Sequence, residues 1–437
     1  MSKVAKIRLS TLFKTISTSL FSPFVSLYAI NLGANNFQVG LISSLTTLAS
    51  ILAQFVGLPF TLSLRRKLVF NLIFDSIGAL LFIPMAFVKE ASTLILLLAI
   101  QAFCFSLPLQ IWNEVQIRAF PKWKRGSEIG ILNKISGLGS FIAYVFGGYL
   151  IRKYGFIYLV FFTASFLGIT RNLILVGMEE DKVAFKSFRA AIREVISFKG
   201  FKETQFKRLL LARFVFNFAV SIGSPMFSVY LIKNLGADSI QLSIISTISL
   251  LVSVLFSEAW GRVADFIGRR EVVLAGLPLI ALFPLFYAIS TNMIDIYIFT
   301  FIAQIGWVAF NIGMFSYLAD ISKESPQIYF VFHDAVAGIS TIIASMLSGH
   351  LAEILGIRNV LILSFYLRIF SIFFFLPLGE KKGSIPRGLS PSASPHAIIS
   401  SIESFISIYS LVFEETKKNV IERVLKEIGK ILRRHVK

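Results

Sequence analysis

Hydroxyl and amide side chains recur at helical spacing inside two apolar stretches of the chain. The first polar face consists of Thr15, Ser19 and Ser22. The second, displaced by 202 residues, consists of Asn217, Ser221 and Ser224. Because positions i, i+4 and i+7 share one face of a helix, each set could line a cavity and hydrogen-bond a solute. Alternatively, these groups bond their own backbone or hold neighbouring helices together, and both interpretations stay open.

Three amides and an indole extend this candidate site. Gln101 and Gln304 are related by 203 residues, close to the displacement of the two polar faces. Gln304, Trp307 and Asn311 share one helical face. Amides beside a flat apolar ring suit a neutral or amphipathic organic solute. Hydrogen bonding between helices is the alternative.

Charged side chains within apolar stretches form a third set, whose chemistry would be ion pairing or proton transfer. Asp75 and Arg171 lie at similar depth in their stretches, so we expect a structural ion pair. Candidates for a carried proton or a gate are Glu114, Lys134, Glu258, His333 and Asp334. Among these, Lys134 and Glu258 could form a bridge that breaks when the protein opens. The alternative is that all five are solvated at the level of the lipid headgroups.

Enzyme chemistry has little support in this sequence. The single cysteine, Cys104, excludes a disulfide and a metal site built of thiols. The four histidines are scattered, and no phosphate-binding Gly-x-x-x-x-Gly-Lys-Ser/Thr motif is present. We therefore expect no enzyme, no metal, no cofactor and no nucleotide-driven pump.

The elements that must position these residues are membrane-spanning helices. Of the 437 residues, 55% are hydrophobic and only 15% are charged, and the mean hydropathy is +0.76. A helix needs roughly 20 apolar residues to cross a bilayer. Twelve stretches qualify, near residues 9–30, 38–60, 68–88, 93–117, 129–151, 156–178, 208–232, 240–260, 271–290, 294–318, 330–352 and 358–378.

The twelve stretches form two copies of one six-span unit. Residues 22–38 read SPFVSLYAINLGANNFQ, and residues 224–241 read SPMFSVYLIKNLGADSIQ. A duplicated membrane unit is typical of transporters in which one half moves against the other.

The net charge of +19 follows the predicted topology. Loops 61–67, 118–128, 179–208, 261–271 and 319–328 carry 3, 4, 8, 3 and 1 Lys or Arg residues, whereas the intervening loops carry five in all. This alternation predicts a multi-pass protein of the cytoplasmic membrane with both termini in the cytoplasm. Contact with anionic lipid explains the positive charge better than a nucleic-acid site does.

One loop identifies a family. After the eighth stretch, the chain reads Gly261-Arg-Val-Ala-Asp265-Phe-Ile-Gly268-Arg269-Arg270. This segment resembles the signature loop of the major facilitator superfamily, Gly-x-x-x-Asp-x-x-Gly-Arg-Arg/Lys, at the place where that family carries it. The resemblance implies an all-α fold of twelve transmembrane helices in two pseudo-symmetric six-helix bundles. It also implies that Asp265 helps to latch the outward-facing state.

The corresponding loop of the first half departs from the family pattern. It begins at Gly57 and keeps the basic cluster Arg65-Arg66-Lys67, but the acidic residue and the second glycine are missing. The marks of drug–proton antiporters and of sugar porters are also missing, so the resemblance assigns no subfamily.

These observations predict four segments. They are a bundle over 1–178, a cytoplasmic linker with an amphipathic helix over 179–207, a bundle over 208–379 and a cytoplasmic tail over 380–437. In the tail, two amphipathic helices near 397–413 and 415–435 are expected to lie on the membrane surface or to contact a partner.

The expected function is secondary active transport by a monomer. We expect alternating access and a small organic solute, with a proton gradient as the drive and export of an amphipathic metabolite or drug as the direction. The alternatives are uptake of a neutral nutrient such as a sugar, and a sensor on the same fold that transports nothing.

Overall fold

The computed structural model describes residues 2–64, 66–109, 111–112, 115, 119, 125–155, 158–178, 189, 198–322, 326–379, 409–410 and 414. Within these ranges the fold is all-α, with one helix for each of the twelve predicted stretches. Helix α1 runs over Lys3–Ser19 and resumes at Val25–Asn31 after a 3-10 turn, and α3 runs over Lys67–Leu80 and resumes at Phe82–Ala86. The other helices are α2 (Asn36–Ser63), α4 (Ala91–Ser106), α5 (Arg125–Tyr154), α6 (Tyr158–Leu175), α7 (Thr204–Val229), α8 (Ser239–Ile267), α9 (Arg269–Ile289), α10 (Met293–Ile321), α11 (Pro326–Leu355) and α12 (Ile357–Ile372).

Nine of the described helices are long and apolar enough to cross a membrane. The three that fall short are α1, α4 and α12. Helix α1 is interrupted at Ser22–Phe24, where Pro23 cannot donate a backbone hydrogen bond. Helices α4 and α12 each have 16 residues in regular α-helix.

The duplication is visible as the same turn built twice. After α1 and after α7 the chain turns at a glycine in the left-handed region, with φ of +84° at Gly33 and +64° at Gly236. The next helix then begins with a capping box in both halves, Asn35 with Gln38 and Asp238 with Gln241. The Gly and Gln marks of the repeated sequence therefore have a local structural reason. We call the end of the bundle that carries these two turns the turn end, and the opposite end the linker end.

At the turn end the two halves meet through close, matched helix contacts. Gly148 of α5 lies against Ser239 of α8, whose hydroxyl donates to the Gly148 carbonyl at 2.9 Å. Gly349 of α11 lies against Phe37 of α2, and a Cβ at Gly349 would lie 2.5 Å from the Phe37 Cα. Only glycine permits these approaches.

Polar bonds between the halves reinforce the turn end. Lys233 Nζ donates to Asn36 Oδ1 at 2.9 Å, and Arg152 Nη1 lies 3.6 Å from Asp238 Oδ2. Together with the glycine contacts, these bonds close the turn end.

Tyr409 of the tail touches the second half. The Tyr409 hydroxyl donates to the carbonyl of Ala275 in α9 at 2.9 Å, and its ring packs edge-on against Trp260 of α8. Apart from 409–410 and 414, the predicted tail helices lie outside the described residues, as does most of the predicted linker helix.

Candidate functional site

A cavity of about 340 Å³ lies between the two halves, on the linker-end side of the closed contacts. Among the described residues, the first half contributes the broken part of α1. The second half contributes α7, α8, α9 and α10. The lining residues are Ser22, Pro23, Ser26, Phe227, Ser228, Leu231, Leu242, Ile245, Ser246, Ser249, Phe283, Tyr287, Thr300, Ala303, Gln304 and Trp307.

One wall of this cavity is aromatic. Phe227 of α7 packs against Phe283 and Tyr287 of α9, with ring centroids 4.9 and 4.7 Å away. Trp307 of α10 faces the same cavity, and its indole is held edge-on against Phe310 at 5.9 Å. Because each ring is fixed by its neighbours, the wall offers a rigid apolar surface to a flat or aliphatic part of a solute.

Another part of the lining, which we call the polar wall, carries hydroxyl and amide groups. Ser246 and Ser249 of α8 donate to the carbonyls of Leu242 and Ile245, each at 3.1 Å. Their oxygen lone pairs remain available as acceptors. Gln304 Nε2 donates to Ser253 Oγ at 2.9 Å, which aims the amide along the same wall.

A second cavity of about 290 Å³ continues from this polar wall towards α5. It shares Ser246, Ser249 and Gln304 with the first cavity and is bounded on the far side by Tyr144. The polar wall is therefore continuous along α8 between the two halves.

Only some of the predicted cavity residues line these cavities. Ser22, Gln304 and Trp307 do. Asn311 lies exposed one turn beyond Trp307, outside the described lining. The Thr15 and Ser224 hydroxyls donate to the backbone carbonyls of Thr11 and Val220, four residues earlier in their own helices.

The remaining members of the two polar faces join helices within each half. Ser19 shares a hydrogen bond of 3.0 Å with Ser140 of α5, and Ser221 shares one of 3.0 Å with Thr341 of α11. Asn217 Nδ2 also donates to Thr341 Oγ1, at 2.6 Å. The symmetry of these residues is thus a symmetry of helix packing.

Gln101 likewise serves a helix contact. It is buried, and its Nε2 donates to the carbonyl of Gly78 in α3 at 2.9 Å. The amide thus satisfies a backbone acceptor inside the first half.

Most of the residues that line the polar wall, including Ser246 and Ser249, were not among the candidates predicted from the sequence. The duplication would have pointed to them, because Ser43 and Thr46 stand 203 residues earlier. Tyr287 and Thr300 carry no comparable signal.

The signature loop is a tight connection between α8 and α9. Gly268, with φ of +109°, ends α8 and begins α9, whereas Gly261 lies inside α8 with open space beside its Cα. Arg269 Nε lies 3.0 Å from Asp320 Oδ2 of α10, and Arg270 Nη2 donates to the Leu376 carbonyl at 2.6 Å. The Asp265 side chain lies outside the described part of the chain.

Comparison with known families agrees with this architecture. The sequence matches the family model of the Major Facilitator Superfamily over residues 8–207 and 209–435. The chain belongs to this superfamily. It is a multi-pass membrane transporter and not an enzyme.

Two relatives share 24% identity with the chain. One is an uncharacterized MFS-type transporter of Methanocaldococcus jannaschii, aligned over 80% of this chain and 92% of its own length. The other is the multidrug resistance protein MdtG of Enterobacter lignolyticus, aligned over 59% of this chain and 63% of its own length.

Solved structures share the twelve-helix fold at low identity. The nucleoside transporter NupG superposes with a TM-score of 0.68 at 14% identity, over 86% of this chain and 99% of its own. A bacterial homologue of the human lysosomal transporter Spinster, inward-facing and occupied, gives a TM-score of 0.64 at 13% identity, over 85% of this chain and 95% of its own.

The two halves also meet where α5 contacts α8, and two gate candidates lie at this contact. Gly137 of α5 faces Val254 of α8, with 3.7 Å between a Cβ at Gly137 and the valine side chain. Lys134 precedes Gly137 by one turn, and Glu258 follows Val254 by one turn. Because the two helices are antiparallel, these exposed charges lie at the same level. Their pairing stays a prediction.

Of the proton-carrying candidates, His333 and Asp334 lie side by side in α11. His333 is buried with its Nδ1 3.0 Å from Asp334 Oδ1, and the Asp334 side chain is 58% exposed. His333 Nε2 is buried without a hydrogen-bond partner in the described part of the chain. Glu114 lies outside the described residues.

Asp75 and Arg171 are brought together inside the first half, and a third charge joins them. Arg171 Nη1 lies 2.6 Å from Asp75 Oδ2, and Lys14 of α1 donates to Asp75 Oδ1. Lys14 was not among the candidates predicted from the sequence, although a lysine within an apolar stretch is itself a signal.

Proposed function

We propose that this superfamily member is a secondary active transporter for a small amphipathic organic solute. The observation that carries the proposal is the cavity between the halves, because both halves line it and its two walls differ in chemistry. The rings of the lining suit an apolar or flat part of the solute, and its hydroxyls and amide suit the polar groups of the solute.

The body of the solute is uncharged in this proposal. The described lining residues include no Lys, Arg, Asp or Glu. A charge placed against the aromatic wall would lose its hydration without gaining an opposite charge, which is costly in a low-dielectric site.

Transport proceeds by alternating access. The basic loops near the linker end favour placing that end in the cytoplasm. The glycine contacts and polar bonds at the turn end then close the cavity from the outside. Outward opening would separate the α2–α11 and α5–α8 contacts and close the linker end instead.

Export with a proton gradient as the drive is the direction and coupling that we favour. The relative named as a multidrug resistance protein supports export. His333 beside the exposed carboxylate of Asp334 offers a group that can exchange a proton with water. Uptake of a neutral hydroxylated nutrient is the second candidate, supported by the serines and threonine of the polar wall.

The test is transport by the purified chain in vesicles. A panel of labelled neutral aromatic and hydroxylated solutes would be offered in both directions, with and without an imposed pH gradient. We expect at least one amphipathic solute to move, and the gradient to accelerate it. Failure of every amphipathic solute to move under either condition would contradict the proposal.

Trp307→Ala sharpens this test. Loss of the indole removes a large rigid contact from the aromatic wall, so we expect transport at low solute concentration to fall roughly tenfold. The matched control is Phe166→Ala, because Phe166 is 69% exposed on the outer surface of the first half. Equal losses in the two variants would remove the aromatic wall from the solute site.

A further inference from the structure

The first half contains a charged cluster inside the membrane-spanning region, away from the cavity. It consists of Lys14 from α1, Asp75 from α3 and Arg171 from α6. Arg171 and Asp75 are almost fully buried, with side chains 3% and 5% exposed, whereas the Lys14 side chain is 27% exposed. Lys14 is therefore the member of the cluster that a ligand can reach.

The charges of this cluster do not cancel. One carboxylate faces two cations, which leaves a formal charge of +1. The other side chains that contact the cations in the described part of the chain are neutral: Asn71, Asn172, Phe105 and Trp112. An uncompensated charge in this setting costs free energy and calls for a function.

The two cations are not equally engaged. Arg171 has Asp75 at 2.6 Å, the Asn172 amide oxygen at 2.8 Å and the Trp112 ring at 4.6 Å. In the described part of the chain, Lys14 contacts the Asp75 carboxylate and the Phe105 ring, whose centroid is 3.3 Å from Nζ. Since an ammonium carries three N–H donors, Lys14 keeps donors for another acceptor.

We propose that Lys14, with Arg171 behind it, binds an oxyanion group of the transported solute, a carboxylate or a phosphate monoester. This inference rests on the proposed function and adds a negative charge to the solute's uncharged body. Lys14 precedes Ser22 of the cavity by eight residues, about 12 Å at helical rise. It therefore lies on the linker-end side of the cavity, where a solute from the cytoplasm would arrive.

The second half supports the same sign of charge. Arg368 is buried, 1% exposed, behind the Phe227 ring of the aromatic wall, and backbone carbonyls are its hydrogen-bond acceptors in the described chain. Each half therefore holds a buried cation, Arg171 or Arg368, and their positive potential favours an anionic solute over a cationic one.

The first experiment measures ligand-induced stabilisation of the purified full chain. Thermal unfolding is followed in sodium benzoate, benzamide, sodium phosphate and sodium chloride at equal ionic strength. We expect benzoate to raise the unfolding temperature and benzamide to raise it less. In Lys14→Met the benzoate affinity should fall roughly tenfold or more, because a charge-assisted bond is lost.

Three further variants separate binding from folding. Lys14→Met leaves Asp75 and Arg171 as a neutral pair, so the variant should fold. Lys14→Arg keeps the charge and should keep the benzoate effect. Lys89→Met is the matched control, since Lys89 is exposed in a loop. Asp75→Asn leaves two cations, so its benzoate-induced shift should exceed that of the wild type, which a purely structural Lys14 would not produce.

Several outcomes would overturn the inference. An unchanged benzoate effect in Lys14→Met would do so, as would equal stabilisation by chloride. A Lys14-dependent effect of phosphate without one of benzoate would exclude a carboxylate and support a phosphate monoester as the group that Lys14 binds.

Vesicle uptake separates this inference from the proposed function. Labelled benzoate and benzamide are compared after correction for leak into protein-free vesicles. Movement of benzamide but not benzoate would refute the anion site and leave the transporter proposal intact. If no solute of the wider panel moves while the Lys14-dependent stabilisation persists, the anion site is supported and the transport proposal fails.

Discussion

Each half of the molecule buries an arginine in its last helix, and the two halves stabilise it differently. In the first half, Arg171 of α6 meets the Asp75 carboxylate at 2.6 Å. In the second half, Arg368 of α12 donates from Nη1 to the Ile280 carbonyl at 2.8 Å and from Nη2 to the Val220 carbonyl at 3.4 Å. The two halves thus share the helix and a buried arginine, but in the described chain a carboxylate pairs with this arginine in the first half only.

A proline in α9 explains why a backbone carbonyl is free to accept a hydrogen bond from Arg368. Pro284 lacks an N–H, so the Ile280 carbonyl, four residues earlier in α9, has no helical donor. Arg368 supplies the donor.

The two arginines also differ in position. Arg171 follows Gly155 by 16 residues, whereas Arg368 follows Gly356 by 12, so the two arginines are one turn apart in their helices.

The two halves of the molecule are specialised. The first half contains the buried ionic cluster, and the second half supplies most of the cavity wall. By contrast, the contacts that close the turn end occur in both halves in matched form. Movement of one half against the other is served by matched contacts between them. Recognition of an asymmetric solute does not need such symmetry.

The largest expected effect tests the difference between the two buried arginines, one with a carboxylate partner and one without in the described chain. Asp75→Asn leaves Lys14 and Arg171 without a carboxylate, so we expect a loss of about 3–5 kcal/mol in the free energy of unfolding. Arg368→Met removes a cation that has no acidic partner in the described chain and strands one carbonyl, for a loss of about 1–3 kcal/mol. Chemical unfolding in detergent would measure both. Glu90→Gln, at an exposed position, is the control, and equal losses in the two variants would contradict the difference between the halves.

An intermediate effect tests the matched closure of the turn end. Gly148→Ala puts a methyl group against the Ser243 hydroxyl and 3.0 Å from the Ser239 carbonyl oxygen, and Gly349→Ala puts one 2.5 Å from the Phe37 Cα. We expect each to cost about 1–3 kcal/mol, because the facing helices must move apart. Unfolding and transport rate would be measured together.

The control for the glycine contacts lies in the same helix. Gly137→Ala places its methyl group 3.7 Å from the Val254 side chain, an ordinary contact, so this variant should resemble the wild type. A tolerated alanine at either Gly148 or Gly349 would show that the closure is one-sided.

The smallest expected effect concerns the paired hydroxyls. Ser19→Ala and Ser221→Ala each remove one hydrogen bond, to Ser140 and to Thr341. Hydrogen bonds between membrane helices contribute about 0.6 kcal/mol on average, so both losses should be small and similar. Thermal unfolding would compare them. A large loss of transport without a loss of stability would return these serines to the solute site.

Much of the fold could be predicted because its causes are local. Each predicted stretch contains a helix, and the repeated Gly and Gln marks became a positive-φ turn and a capping box in both halves. The candidate site was predicted less completely. Ser22, Gln304 and Trp307 line the cavity, whereas Gln101, Ser19 and Ser221 bond neighbouring helices.

The sequence by itself determined the membrane class, the span positions, the duplication and the family. In lipid, each span must satisfy its backbone internally, so apolar length and composition suffice to predict a helix. Only the tertiary structure decided what each polar side chain does. Ser19 and Ser22 are one turn apart, yet one faces α5 and the other the cavity, because α1 breaks between them. Lys14 contacts Asp75, which in turn contacts Arg171, although the three residues lie far apart in sequence. Which of them meet depends on how the helices rotate and pack against one another.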